Sequence, residues 1–124
     1  MQLIERLIPG EERVRVYQDS RGLAAFYSEF PVENLHIVSV NPGAVRGNHS
    51  HDQDEIICIL GGGGMCEISV ENESSGDKET VLIKHGIESY RIKAGLKHSV
   101  RNVGDNVFYL VCFLTGEERP GVGF

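Results

Sequence analysis

The sequence predicts an all-β fold of antiparallel strands, a sandwich or a barrel. Three observations carry that expectation. Short apolar or alternating runs recur along the whole chain; Gly, Pro, Asn and Asp separate them; and no stretch shows the sustained three-to-four spacing of a confident helix. At 124 residues, and with ~100–200 residues usual per domain, the chain suits one domain over 1–124 and can bury a core without disulfides.

Taken in order, Val14 to Tyr17 alternates and stops at the turn cluster Gln18 to Gly22. Leu23 to Phe30 reads as a second strand, because Phe26, Tyr27 and Phe30 outweigh the helix-favouring pair Ala24 and Ala25, and Pro31 ends it. Leu35 to Val40 is β-branched and closes at Asn41, Pro42 and Gly43. Residues 44–51 form the next strand, ending in His49 and His51. Glu55 would lie roughly 20 Å from His49 on a straight strand at ~3.3 Å per residue, so a tight hairpin is expected at Asp52, Gln53 and Asp54.

Glu55 to Leu60 begins the second half. The run Gly61 to Gly64 reads as a flexible hairpin; a phosphate cradle would need a helix directly after it, and Met65 to Val70 is strand-like instead. Glu71 to Glu79 is a solvated loop, Thr80 to Ile83 the returning strand, and His85 with Gly86 a turn. Tyr90 to Ile92 leads to a strand opened by His98 and running to Val103. Gly104 to Asn106 turns the chain, Val107 to Thr115 is its most hydrophobic strand, and 116–124 reads as a surface tail.

Charge and composition exclude several functions. A formal charge of -6 argues against a nucleic-acid surface, which needs clustered Lys and Arg. No segment approaches the ~18–20 apolar residues that span a bilayer, and the N-terminus does not resemble a secretory signal, so a soluble, cytoplasmic protein is expected. Cys58, Cys66 and Cys112 each sit in an apolar run and read as reduced, buried thiols.

The chemistry concentrates in His49, His51 and Glu55, with His98 downstream. Histidines at i and i+2 project from one face of a strand, and a carboxylate and a third imidazole from other strands would complete a four-ligand set. Such a nitrogen and oxygen site suits Fe(II), Mn, Ni, Co or Zn and leaves positions open for water or substrate. His36, alone in an apolar run, and His85, beside a turn glycine, read as ordinary polar residues.

These residues resemble the cupin superfamily. Its first motif, G-x5-H-x-H-x3-E-x6-G, is matched at Gly43, His49, His51, Glu55 and Gly62. The second, G-x5-P-x-G-x2-H-x3-N, is matched at Gly95, His98 and Asn102, with Lys93 in place of proline and the leading glycine one position early at Gly86. The motifs thus occupy 43–62 and 86–102. The resemblance implies a double-stranded β-helix, a jelly-roll barrel of six to eight strands, with His49, His51, Glu55 and His98 as metal ligands and a paired-sheet homodimer.

Asp19 to Gly22, Val45 to His51 and His98 to Asp105 look, more narrowly, like the sugar-nucleotide cupins: dTDP-4-keto-6-deoxyhexose isomerases and epimerases, and the cupin domains of capsular polysaccharide enzymes. Some of these keep the histidine pattern yet work without metal. By that likeness His49 or His98 would move a proton, Arg46 and Arg21 would meet a diphosphate, and Tyr27 or Tyr109 would donate to an enolate. A metal-dependent dioxygenase and a non-catalytic sugar- or metabolite-binding barrel are the other readings the residues allow.

Overall fold

The computed structural model describes residues 3–8, 13–61, 65–83 and 87–116, and every regular element among them is a strand. In chain order these are β1 (Ile4–Arg6), β2 (Val14–Asp19), β3 (Gly22–Tyr27), β4 (Glu33–Val40), β5 (Val45–His49), β6 (Glu55–Leu60), β7 (Cys66–Glu71), β8 (Lys78–Ile83), β9 (Ile87–Ile92), β10 (Lys97–Asn102) and β11 (Phe108–Leu114). They form a five-stranded sheet ordered β1-β9-β6-β11-β4, a four-stranded sheet ordered β5-β10-β7-β8, and a separate ribbon of β2 and β3. All pairings are antiparallel, and the architecture is the jelly roll expected.

Alternation decides what each sheet buries. Ile57 and Ile59 of β6, Leu110 and Cys112 of β11, and Ile68 and Val100 of the smaller sheet belong to one buried cluster. Each aliphatic side chain taken fully from water there contributes about 1.5–3 kcal/mol. The opposite face of β6 and β11 carries Ile56 and Phe113, which pack with Leu7 and with Val14, Tyr27 and Phe30 of the ribbon segment. The ribbon therefore covers the outside of the large sheet. Cys58, Cys66 and Cys112 are all unpaired and buried, and burial pushes the Cys66 and Cys112 thiols up to about 12.

Several expected boundaries shift. β1 was not foreseen, β3 stops at Tyr27 rather than Phe30, and β8 begins at Lys78. Two connections differ in kind. β5 and β6 belong to different sheets, so 52–54 is a crossover and not a hairpin; β6 and β7 likewise lie in different sheets, so the glycine run joins sheets. Sequence shows turn residues in both places but not which sheet the next strand enters. Gly62, Gly64, His85, Gly86 and the tail from 117 lie outside the described residues.

The crossover is held from the side. Asp54 is 3% exposed; its Oδ1 accepts from the Ala94 amide at 2.9 Å, its Oδ2 from Arg91 at 3.1 Å, and its carbonyl from the Thr115 amide at 3.0 Å. Asn102, 1% exposed, donates to the carbonyls of Val40 and Asn106 and accepts from Gly104. Both polar side chains are satisfied inside the fold; Asp54 fixes the start of the strand that carries Glu55, and Asn102 the end of the strand that carries His98.

Candidate functional site

His49 ends β5, the edge of the smaller sheet, and sits opposite His98 on β10. The register slips between His98 and Ser99, and Gly47 and Asn48 both adopt positive φ, at 94° and 69°. This bulge turns the strand end toward its neighbour. A Cβ on Gly47 would stand 2.9 Å from the His98 carbonyl oxygen and 3.4 Å from the Ser99 Cα, so only glycine lets β5 come this close. His51 lies beyond the strand, its carbonyl accepting from the Gly95 amide at 2.9 Å. The two imidazoles still meet, but a bulge and a loop bring them together rather than i, i+2 alternation along one strand.

The ring centroids of His49 and His51 are 4.6 Å apart, those of His49 and His98 5.1 Å, and those of His51 and His98 5.5 Å. Glu55, 4% exposed, reaches in from the other sheet. Its Oε1 is 2.7 Å from His98 Nε2 and its Oε2 is 3.7 Å from His51 Nε2. His98 Nδ1 lies 3.3 Å from the Leu96 carbonyl oxygen. On the other side of the ring, Nε2 and the Glu55 carboxylate stand at hydrogen-bond distance.

The donor set fits a divalent metal. One nitrogen from each of His49, His51 and His98 lies within 4.8 Å of the other two. His51 Nε2 is buried and without a hydrogen-bond partner among the described residues, which is costly unless something else accepts its lone pair. Desolvation lowers the His51 pKa from 6.5; nearby Glu55 opposes this, and His49, His98 and His36 reinforce it. A neutral imidazole is the form that ligates metal.

His49, His98 and Glu55 line a cavity of about 210 Å³ between the edge strands β4 and β5, together with Arg46, Val38 and Leu110, while His51 packs beside it against the His49 and His98 rings. Arg46 bridges the two edges, its Nε donating to the Ser39 carbonyl at 3.1 Å. His36, expected to be an ordinary polar residue, also faces this cavity. Its signal in the sequence was the alternation of β4, in which His36 shares a face with Val38 and Val40.

The structure does not bring the other expected residues here. Tyr27 packs on the outer face of the large sheet, its hydroxyl 3.2 Å from the Cys58 Sγ, with burial and that contact raising its pKa. Tyr109 is 51% exposed on β11, between inward-facing Phe108 and Leu110. Arg21 stands at the ribbon turn, its guanidinium 2.6 Å from Asp19, which raises the Arg21 pKa and lowers that of Asp19.

Fold and site together define a β jelly roll with an imidazole-lined cavity opening between its two sheets. A cupin-domain family model matches residues 36–114, and the chain belongs to the cupin family. No curated protein sequence matches it. Among solved structures, it is similar to the WlaRB TDP-quinovose 3,4-ketoisomerase of Campylobacter jejuni, with TM-score 0.68, 17% identity, and coverage of 98% of this chain and 91% of that one. A 3,4-ketoisomerase of Helicobacter canadensis gives TM-score 0.69 and 16% identity, covering 94% and 86%. The capsular polysaccharide assembling protein CapF of Staphylococcus aureus gives TM-score 0.59 and 17% identity; the match covers 86% of this chain but only 30% of CapF. At these identities the likeness establishes the fold.

Proposed function

We propose that this protein is a sugar-nucleotide ketoisomerase that moves a carbonyl between adjacent carbons of a 4-keto-6-deoxyhexose. The observation that carries the reading is the meeting of His49, His98 and Glu55 in one cavity, with His51 against the two imidazole rings. The named ketoisomerases that share the fold nearly end to end support it. The cavity suits a sugar ring, leaving the nucleotide along the mouth, where the exposed Arg46 meets its diphosphate.

The chemistry asks for two proton transfers at neighbouring carbons. One imidazole removes the proton on C3, next to the C4 ketone, and the C–H electrons form the C3–C4 double bond. The C4 oxygen takes a proton, giving an enediol. A proton then returns to C4 as the C3 hydroxyl proton leaves, and the carbonyl stands at C3. Imidazole suits both roles near neutral pH. His49, at the exposed strand end, is assigned the carbon-bound proton, and His98, held by Leu96 and Glu55, the oxygen-bound one. In place of that acid–base role, His49, His51, His98 and Glu55 would hold a divalent ion such as Zn, Mn, Fe, Ni or Co, which would supply Lewis-acid polarisation of the ketone.

The homodimer implied by the resemblance is part of this proposal. Leu35, Ile37 and Tyr109 are exposed at 55%, 66% and 51% on the outer face of β4 and β11, beside an open sheet edge. Incubation with dTDP-4-keto-6-deoxyglucose, followed by NMR of the product sugar, tests the activity. A 3-keto sugar is expected; unchanged substrate at high enzyme concentration would overturn the assignment.

A further inference from the structure

We infer that His36, Glu55 and Cys112 form a second cation position on the β4–β11 wall of the cavity, suited to a borderline-soft divalent ion such as Zn(II) or Co(II). His36 and Cys112 are register partners across β4 and β11, and both line the cavity. One ligand atom from each of the three residues lies within 4.8 Å of the other two. Ligands around a four-coordinate ion with bonds of about 2.0–2.3 Å stand roughly 3.3–3.8 Å apart, so binding draws the three side chains together by up to about 1–1.5 Å, with His36 free to move on the exposed edge strand.

The His36 ligand atom is set in advance, while Cys112 gives up its thiol proton on binding. The Asn34 carbonyl accepts from His36 Nδ1 at 2.8 Å, which fixes the tautomer and leaves Nε2 as the lone-pair nitrogen. Sulfur, nitrogen and oxygen together favour Zn(II) or Co(II) over Mg(II), Ca(II) or Mn(II). Glu55 has two carboxylate oxygens and can serve both this position and the His49, His51 and His98 group. Three protein ligands leave a fourth position for water or a ligand atom.

The position shares Glu55 with the proposed active site but needs none of its catalysis, so the two readings fail separately. Metal-stripped protein is titrated with Co(II), because a thiolate ligand gives an intense near-ultraviolet charge-transfer absorption that nitrogen and oxygen ligands do not. The band is expected in wild type, in Cys58→Ser, in Cys66→Ser and in His49→Ala, and lost in Cys112→Ser. Should Cys112→Ser fail to fold, His36→Gln at an exposed side chain gives the same answer, weakening the band-forming affinity at least roughly tenfold. A wild-type protein saturated with cobalt and lacking the band would overturn the inference, as would a band that survives Cys112→Ser. A band that disappears in His49→Ala would also overturn it, by placing the ion at the other ligand group.

Discussion

Gly47→Ala puts the geometry of the site to a direct test. Gly47 has φ of 94°, which an L side chain rarely adopts, and its Cβ would meet the His98 carbonyl oxygen at 2.9 Å. The dihedral alone costs about 1–3 kcal/mol, and forcing two paired backbones apart adds a similar amount. Partial relaxation of the bulge brings the total to about 2–4 kcal/mol. The relaxation also separates β5 from β10, and with them His49 from His98. Gly43→Ala is the control, since Gly43 has φ of 81° with nothing within 4 Å of its Cβ and carries only the dihedral cost. Urea unfolding of both variants, alongside turnover, reads the comparison. Gly47→Ala is expected to be the less stable by at least about 1 kcal/mol and to lose most activity, with Gly43→Ala nearly fully active. Equal stability and equal activity would refute the claim that close approach at the bulge builds the site.

Three further outcomes follow from the same structure. Asp54→Ala removes the buried carboxylate that the Arg91 guanidinium and the Ala94 amide reach and opens the crossover before Glu55, so urea unfolding should show a loss of about 2–4 kcal/mol. The folded pKa of His51 lies below its unfolded 6.5, so the unfolded chain binds more protons in that window. Its contribution is therefore complete above the unfolded value and falls as pH drops below it; between about pH 7 and pH 5 the unfolding midpoint of wild type should fall more steeply than that of His51→Gln. Tyr27→Phe removes a hydroxyl contact with Cys58 on the outer face of the sheet, so turnover should hold within about twofold while stability drops by about 0.5–1.5 kcal/mol. A large loss of turnover with unchanged stability would instead return Tyr27 to the reaction.

Much of this was legible in the residues, for reasons that can be separated. Strand order along the chain followed from alternation and turn residues, because those signals are local. That His49, His51 and Glu55 come together was legible because they stand at a spacing that demands a chain reversal if they are to meet. Which sheet each strand joins was not legible: Asp52 to Asp54 reads equally as a hairpin or a crossover, and the choice is made by Asp54 reaching Ala94 and Arg91 some forty positions away. His36 was overlooked because its significance lies in pairing with Cys112, a contact set by sheet order. Tyr27, Tyr109 and Arg21 have suitable chemistry, but a side chain's face on a sheet depends on register, and theirs turn away from the cavity.

In the proposed reaction His49 and His98 move protons at one sugar within one cavity. Exchange into dTDP-4-keto-6-deoxyglucose in deuterated water measures this most directly, with wild type compared against His49→Gln and His98→Gln. Wild type should place deuterium on a ring carbon beside the carbonyl, and each variant, folded by circular dichroism, should slow exchange by about 100-fold or more. Undiminished exchange in both variants, or none in wild type, would contradict the account.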